Sequence, residues 1–483
     1  MIYNNAVSTN MKNDTFINKA TKDILATIVV FSAFSVWLLG FLFEPILFVQ
    51  LFGVDVDVFD LTLIMIFTHG IGFLFWIFTM TSAIIAKRIL LGSIGVVVLF
   101  GWMNLFDIGI FRMIGYILSG FIISGTIVSS AYFIKFVSTK KQRFMMVAGV
   151  LVMTHILLMI KDWILLIHGD LAAYYFALSM IMISLLGAFY LSSLPIKDRS
   201  LSSFANKLHN HTRKDMLVLS MLIFFITING GLLMQFVFPS YHHLGTFVGM
   251  YWLWPYVLGV VVFVWLFRKF HRGNLVNISV ALIGMSLIGY LILPQTMIGF
   301  LLVMTLLMLP LGALDLFWWG TLGEMIEYTI FPGKIFGMGL FANVMGVFVG
   351  SFVGLALLRS DDSILFVVSF ALTSVFVVIM LYPLISQVLS QKGYLAMDFS
   401  DKEEEGFLRS NNPAINEMIQ GMSSREQEII RLLCQGKTYK MIAEQLHISI
   451  NTVKFHIKGI YGKFDVTSRF ELLNLLEEGN EQT

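Results

Sequence analysis

Ile24–Phe43 reads ILATIVVFSAFSVWLLGFLF, without a charged residue. At 1.5 Å rise per residue a helix of about 20 residues is roughly 30 Å long, the thickness of a bilayer's hydrocarbon core. The stretch before it, Met1–Asp23, is polar and carries Lys12, Lys19 and Lys22. That flank is not a cleavable signal's, so the run reads as a first membrane helix that stays.

Runs of the same kind recur at roughly 61–83, 89–106, 114–136, 144–160, 171–194, 216–238, 247–267, 275–293, 296–320, 338–358 and 364–386. Barrel strands are short and alternate in polarity. These runs are long and continuously apolar, so they read as helices. The composition agrees. Of 483 residues, 57% are hydrophobic and only 13% charged, and the mean hydropathy is +0.83. That excludes a soluble globular chain and a disordered one. Cys434 is the sole cysteine, which excludes an intrachain disulfide and a cysteine-based metal cluster.

Charge in the connections fixes the expected orientation. With the N-terminus inside, the inner segments hold Lys87 and Arg88; Lys135, Lys140, Lys141 and Arg143; Lys197, Arg199, Lys207, Arg213 and Lys214; Arg268, Lys269 and Arg272; and Lys334. The outer segments hold only Arg112, Lys161 and Arg359, and the first is acidic, with Glu44, Asp55, Asp57 and Asp60. This is the positive-inside pattern, and an even helix count puts both termini in the cytoplasm.

The longest internal polar connection, 195–215, follows the sixth run. The expected organisation is a cytoplasmic segment 1–23, a six-helix half 24–194, a basic loop 195–215, a second half 216–386, a charged linker 387–414 and a soluble domain 415–483. The six-plus-six layout resembles the major facilitator superfamily, whose two halves enclose a central site. The family's signature between helices two and three is not recognisable in Thr81–Arg88: Lys87 and Arg88 are present, but no aspartate precedes them.

The soluble segment is the most specific part of the chain. Ser423-Ser424-Arg425-Glu426 is a capping box, followed by an apolar stripe at Ile429, Leu432 and Leu433, with Gly436 as a stop. Thr438 opens a second helix over 439–446 whose inner face is Ile442, Ala443 and Leu446. After the turn at His447-Ile448-Ser449, Ser449 or Asn451 caps a third helix to about Phe464. Val453, Ile457, Ile460 and Phe464 fall on its inner face, and Lys454, Phe455, Lys458 and Tyr461 on the adjoining one. A fourth helix is expected from Ser468 to Leu476. Two short helices joined by a tight turn, the second with a basic face, form a helix-turn-helix. Between 429 and 464 the bases Arg431, Lys437, Lys440, Lys454, Lys458 and Lys463 stand against one acid, Glu444.

Ser423–Arg469 closely resembles the LuxR-type helix-turn-helix at Arg425-Glu426, Gly436, Ile442-Ala443, Leu446, Ser449, Thr452-Val453-Lys454, His456, Ile460, Lys463, Val466 and Arg469. Phe464 and Met422 stand where leucine is usual. The resemblance implies a partner, double-stranded DNA, and a bacterial cytoplasmic membrane as location. It implies base contacts from Lys454, Phe455 and Lys458. It implies phosphate contacts from Thr452, Thr438, Lys440 and Lys463, and a homodimer seam near Leu472, Leu473 and Leu476. A solvated face is the plainer reading of the two lysines, and cover for a core edge that of Phe455.

Within the spans ionisable residues are few, and such residues are often functional. Asp315 follows Pro310 and precedes Trp318-Trp319; it lines a cavity, or sits near the cytoplasmic end and snorkels or pairs with a loop lysine. His69 and His155 read as hydrogen-bonded structural histidines or as ligand groups. Asn229-Gly230-Gly231 lines a helix break or permits close packing. Trp252, Trp254, Trp318 and Trp319 anchor at interfaces or line an aromatic pocket. Asp315, Trp318, Trp319, His69 and Asn229 are thus the candidate pocket for a small-molecule ligand. His242-His243 is an adjacent pair, poor geometry for one metal. No nucleophile–base pair, phosphate loop or catalytic carboxylate pair stands out, so no enzyme, metal or cofactor is expected. The expected fold is all-α: a polytopic twelve-helix bundle with a C-terminal four-helix LuxR-type domain. The expected function is a membrane-embedded regulator, the alternative a transporter with a regulatory tail.

Overall fold

Hydrocarbon offers the backbone no hydrogen-bond partner, so a crossing chain bonds to itself. The computed structural model follows that rule. It describes residues 21–54, 56–106, 109–196, 204–245, 247–267, 269–270, 272–329, 331–358, 363–390, 417–419, 421–434, 439–446, 448–466 and 471–472. Most of the expected N-terminal segment, much of the 195–215 loop and nearly all of the linker lie outside them. Among the described residues twelve helices are long and apolar enough to span a membrane. They are α1 (Thr21–Leu42), α2 (Val58–Thr79), α3 (Ala83–Met103), α4 (Ile110–Val137), α5 (Lys140–His168), α6 (Asp170–Ser193), α7 (Phe204–Leu232), α8 (Leu253–Leu266), α9 (Arg272–Ile292), α10 (Met297–Met325), α11 (Pro332–Leu358) and α12 (Ser363–Ser390). The span of α7 runs on to Ser240, and that of α8 begins at Phe247. Side-chain caps set several starts. Asp57 accepts from the Phe59 and Asp60 amides, Ser82 from Ile85 and Thr296 from Gly299; Thr139 and Gln142 form a capping box.

The pairing of helices repeats itself when every number is raised by six. In the first half α2 packs on α4, α3 on α4 and α6, and α5 on α6; in the second, α8 on α10, α9 on α10 and α12, and α11 on α12. The halves meet where α2 and α4 touch α11, and where α8 and α10 touch α5. Small residues bring the backbones together. A Cβ on Gly259 would stand 2.0 Å from the Leu309 carbonyl oxygen, and one on Gly312 2.4 Å from that of Tyr256. Helices α8 and α10 therefore touch backbone to backbone. The two first helices of the halves also match. Helix α1 ends in a π-turn over Leu38–Leu42, and α7 is continued by one over Leu233–Val237.

Charges expected in loops turn out to be buried and paired. Lys161 is inside α5, which runs on to His168. It is 1% exposed, bonds Glu44 and Asp162, and reaches the Gly40 carbonyl at 3.4 Å. Tyr116 donates to the Phe41 and Leu42 carbonyls, so carbonyls left over at the end of α1 find partners. At the opposite end Arg143, in the first turn of α5, pairs with Glu327 at 2.6 Å, joining the two halves. Arg272, the first residue of α9, pairs with Glu324 at 2.9 Å with both side chains buried, and its guanidinium lies 4.7 Å from the Phe144 ring centre. A long basic side chain is accepted into a helix end when its charge meets an acid there, which is why loop-charge reading misplaced these three.

The chain divides into two compact units, Met1–Met397 and Asp398–Thr483. The second holds α13 (Ser424–Cys434), α14 (Tyr439–Leu446) and α15 (Ile450–Phe464). Ile429, Ile430, Leu433, Ile442, Val453, Ile457, Ile460 and Phe464 form its core, with Ile419, Met422 and Leu472. Of the expected fourth helix only Glu471 and Leu472 are described, and both are helical. Leu472 is fully buried in this core, so its side chain is committed within the domain rather than to a second copy; Leu473 and Leu476 lie outside the described residues.

The buried pair gives a test of the bundle. Arg272→Met strands Glu324 and is expected to cost about 3–5 kcal/mol, whereas Arg272→Met/Glu324→Met recovers most of that loss. Thermal unfolding of the detergent-purified protein reads both.

Candidate nucleic-acid interface and candidate ligand site

The capping box is formed: the Ser423 amide donates to Glu426 Oε2 at 2.9 Å and the Glu426 amide to Ser423 Oγ at 3.3 Å. Of the two possible caps for α15, Ser449 is the one used; it accepts from the Thr452 amide at 3.0 Å. The inner face of α15 then packs on α13 and α14, and the rotation this imposes turns Lys454, Phe455 and Lys458 outward. All three are exposed, Phe455 by 75%. The Phe455 ring covers no core edge; its ring neighbour is His456, 5.8 Å away. Tyr461 instead closes the core, its hydroxyl 3.2 Å from that of Tyr439.

Of the other residues assigned to DNA, Thr452 sits at the N-terminus of α15, where amides and the helix dipole favour an anion. Its hydroxyl lies 2.8 Å from Ser449 Oγ. Lys463 is 42% exposed and pairs with Glu426 at 2.8 Å. Lys440 is in α14; its side chain, like Thr438, lies outside the described residues. The Lys463 ammonium, with the Ser423 amide, pulls the Glu426 carboxyl down to about 2.

In the bundle the structure brings together three of the five pocket candidates. Tyr256 of α8 donates to Asp315 Oδ2 at 2.7 Å, and Trp318 Nε1 donates to Oδ1 at 3.0 Å. Trp319 stacks on Trp318 with ring centres 5.0 Å apart, and meets Phe336 of α11 edge-on at 5.7 Å. From the other half, His155 of α5 stacks on Tyr256 at 3.9 Å and donates Nδ1–H to the Leu151 carbonyl at 2.8 Å. Trp252 stands edge-on to that imidazole at 5.9 Å. Tyr256, Trp318 and His155 are buried, while Asp315 and Trp319 keep accessible surface well inside the span. The site therefore lies on the seam between the halves. The Gly259–Leu309 and Gly312–Tyr256 backbone contacts are what bring the tyrosine within reach of the acid.

His69 and Asn229 are held elsewhere. His69 of α2 donates to the Gly120 carbonyl of α4 at 2.8 Å, with Phe43 and Phe73 edge-on to its ring. Asn229 of α7 donates to Ser374 Oγ of α12 at 2.8 Å, while its Oδ1 is buried without a hydrogen-bond partner among the described residues. Both sit in helix packing. Tyr256 was not picked out from the sequence. Nothing local marks it, because its partner is on another helix.

Residues 420–476 match the family described as bacterial regulatory proteins, luxR family. This segment is a LuxR-family DNA-binding domain. Among similar proteins are the transcriptional regulatory protein LiaR of Bacillus subtilis (strain 168), 48% identical over 50 residues (10% of this chain, 24% of LiaR), and the nitrate/nitrite response regulator NarL of Escherichia coli (strain K12), 38% identical over 64 residues (13% of this chain, 30% of NarL). The chain thus spans about a quarter of the length of the curated relatives it matches. The bundle is similar to solved structures of the major facilitator proton:xylose symporter XylE, with a TM-score of 0.55 at 13% identity, covering 78% of this chain and 96% of that one. A bacterial homologue of the iron transporter ferroportin in an outward-facing state gives 0.55 at 13% identity, over 76% of this chain and 99% of that one. The membrane bundle has the major facilitator fold.

In the LuxR-family domain the Glu426–Lys463 bridge ties α13 to α15. A carboxyl lowered in the folded state stabilises it at pH values above the ordinary carboxylate range. That contribution is lost as pH falls from about 4.5 toward about 2. Amide protection factors across α13 and α15, corrected for the intrinsic exchange rate at each pH, are expected to fall over that interval, and Glu426→Gln to remove this step.

Proposed function

We propose that the chain is a membrane-embedded transcriptional regulator of the bacterial cytoplasmic membrane. Both termini are cytoplasmic, and the bundle senses a small molecule. The observation that carries this reading is a LuxR-family domain, with Lys454, Phe455 and Lys458 turned to solvent, on the same chain as a facilitator-type bundle. The third helix enters the major groove of operator DNA. Lys454 and Lys458 donate to guanine edges, and Phe455 meets a thymine methyl. Thr452, Thr438, Lys440 and Lys463 hold phosphates, Lys463 by leaving Glu426. The stretch 387–414 links bundle to domain, and two domains pair on DNA.

A ligand at Asp315 touches elements of both halves, so its affinity depends on how they are set against each other. Reversing a two-state balance from 1:99 to 99:1 takes about 5.5 kcal/mol of differential binding. One hydrogen bond to a charged group contributes about 1.5–3, so the ligand works through several contacts across the seam.

The second reading is a transporter with a regulatory tail, favoured by the likeness to XylE. Chromatin immunoprecipitation of the full-length chain beside Lys454→Ala/Lys458→Ala separates the two. Discrete peaks lost in the variant are expected. Absence of peaks across growth conditions, together with substrate uptake by the bundle, supports the transporter.

A further inference from the structure

Asp315 differs from the ion-paired side chains in the interior of the bundle. Lys161, Arg143 and Arg272 each meet an acid. Asp315 meets only neutral donors, the Tyr256 hydroxyl and the Trp318 indole, and no described cation pairs with it. An uncompensated carboxylate among apolar helices is expensive. Two donors fill half of its acceptor capacity, since a carboxylate offers about four lone-pair sites. They hold its plane in place while leaving the remaining sites open. The acid and the neighbouring Trp319 both keep accessible surface. Trp319, stacked on the buried Trp318 beside it, presents an indole π-system, the best aromatic partner for a cation.

We propose that Asp315 is the recognition group for a small organic ammonium ion with an aromatic or apolar body. The ammonium donates to the free carboxylate sites and supplies the countercharge that no described residue provides, and the body lies against Trp319. Anions are excluded by repulsion in a low-dielectric site, and neutral analogues leave the acid uncompensated. The inference rests on the seam being the ligand site and deepens that reading.

The test is direct binding to the full-length protein in lipid nanodiscs, by calorimetry and tryptophan fluorescence. The probes are phenethylammonium, 2-phenylethanol and phenylacetate, which share a ring and differ in charge. Phenethylammonium is expected to bind at least about tenfold tighter than the other two, about one decade of affinity for the charge. Asp315→Asn is expected to erase that preference, Asp315→Glu to keep it, and Lys454→Ala/Lys458→Ala to leave it unchanged. Unchanged binding of 2-phenylethanol by Asp315→Asn rules out misfolding as the cause of its loss of preference. Equal binding of the ammonium and the alcohol, an unaltered preference in Asp315→Asn, or no saturable binding of the ammonium overturns the proposal. The readout needs no DNA. Its failure alongside chromatin peaks rejects the ligand class and leaves the regulator standing; success without peaks does the reverse.

Discussion

A polar group carried into hydrocarbon has to bring its partner along. That constraint organises the bundle from end to end. It makes the spans helical and caps their starts with Asp57, Ser82, Thr139 and Thr296. It fills the carbonyls at the end of α1 with Lys161 and Tyr116. It also lets Arg143 and Arg272 lie buried, since each finds a glutamate. Asp315 stands out as an acid whose described partners are neutral donors.

The six-fold shift in the pairing pattern gives the bundle two similar seams, α2 and α4 against α11, and α8 and α10 against α5. Their chemistry differs. In the first, Phe67 of α2 meets Phe348 of α11 with ring centres 5.5 Å apart. In the second, an acid, a phenol and an imidazole converge from both halves. That convergence sets α5, α8 and α10 apart as the candidate ligand site.

The spans and the DNA-binding segment were legible in the sequence for different reasons. Long apolar runs need no partner to be recognised, and the LuxR-type offsets are local, from the Ser423 cap through Ile457 to Phe464. Helix ends were less legible. The run ending at 160 hid eight further residues of α5, because burial of Lys161 depends on Glu44, far away in the chain. The candidate pocket was half legible for the same reason. Asp315, Trp318 and Trp319 are neighbours along one helix, whereas Tyr256 and His155 reach the acid only through the close approach of α8 to α10 and the packing of α5. His69 and Asn229 have the right chemistry, but side chains on other helices had already engaged them.

The exposure of Phe455 bears on how DNA binding by this chain would respond to its surroundings. Phosphate and base contacts made by lysine release counterions, so their contribution weakens as salt rises. A phenyl ring moved from water onto a thymine methyl releases no ions. Its gain, at most the 1.5–3 kcal/mol or so of a fully buried side chain, persists at high ionic strength and carries a negative heat-capacity change. On the proposed contacts, the lysines together set the slope of affinity against salt, and Phe455 adds a contribution nearly independent of it. At salt concentrations that strip non-specific, purely ionic contacts from the chromosome, a contact of the proposed kind would still discriminate.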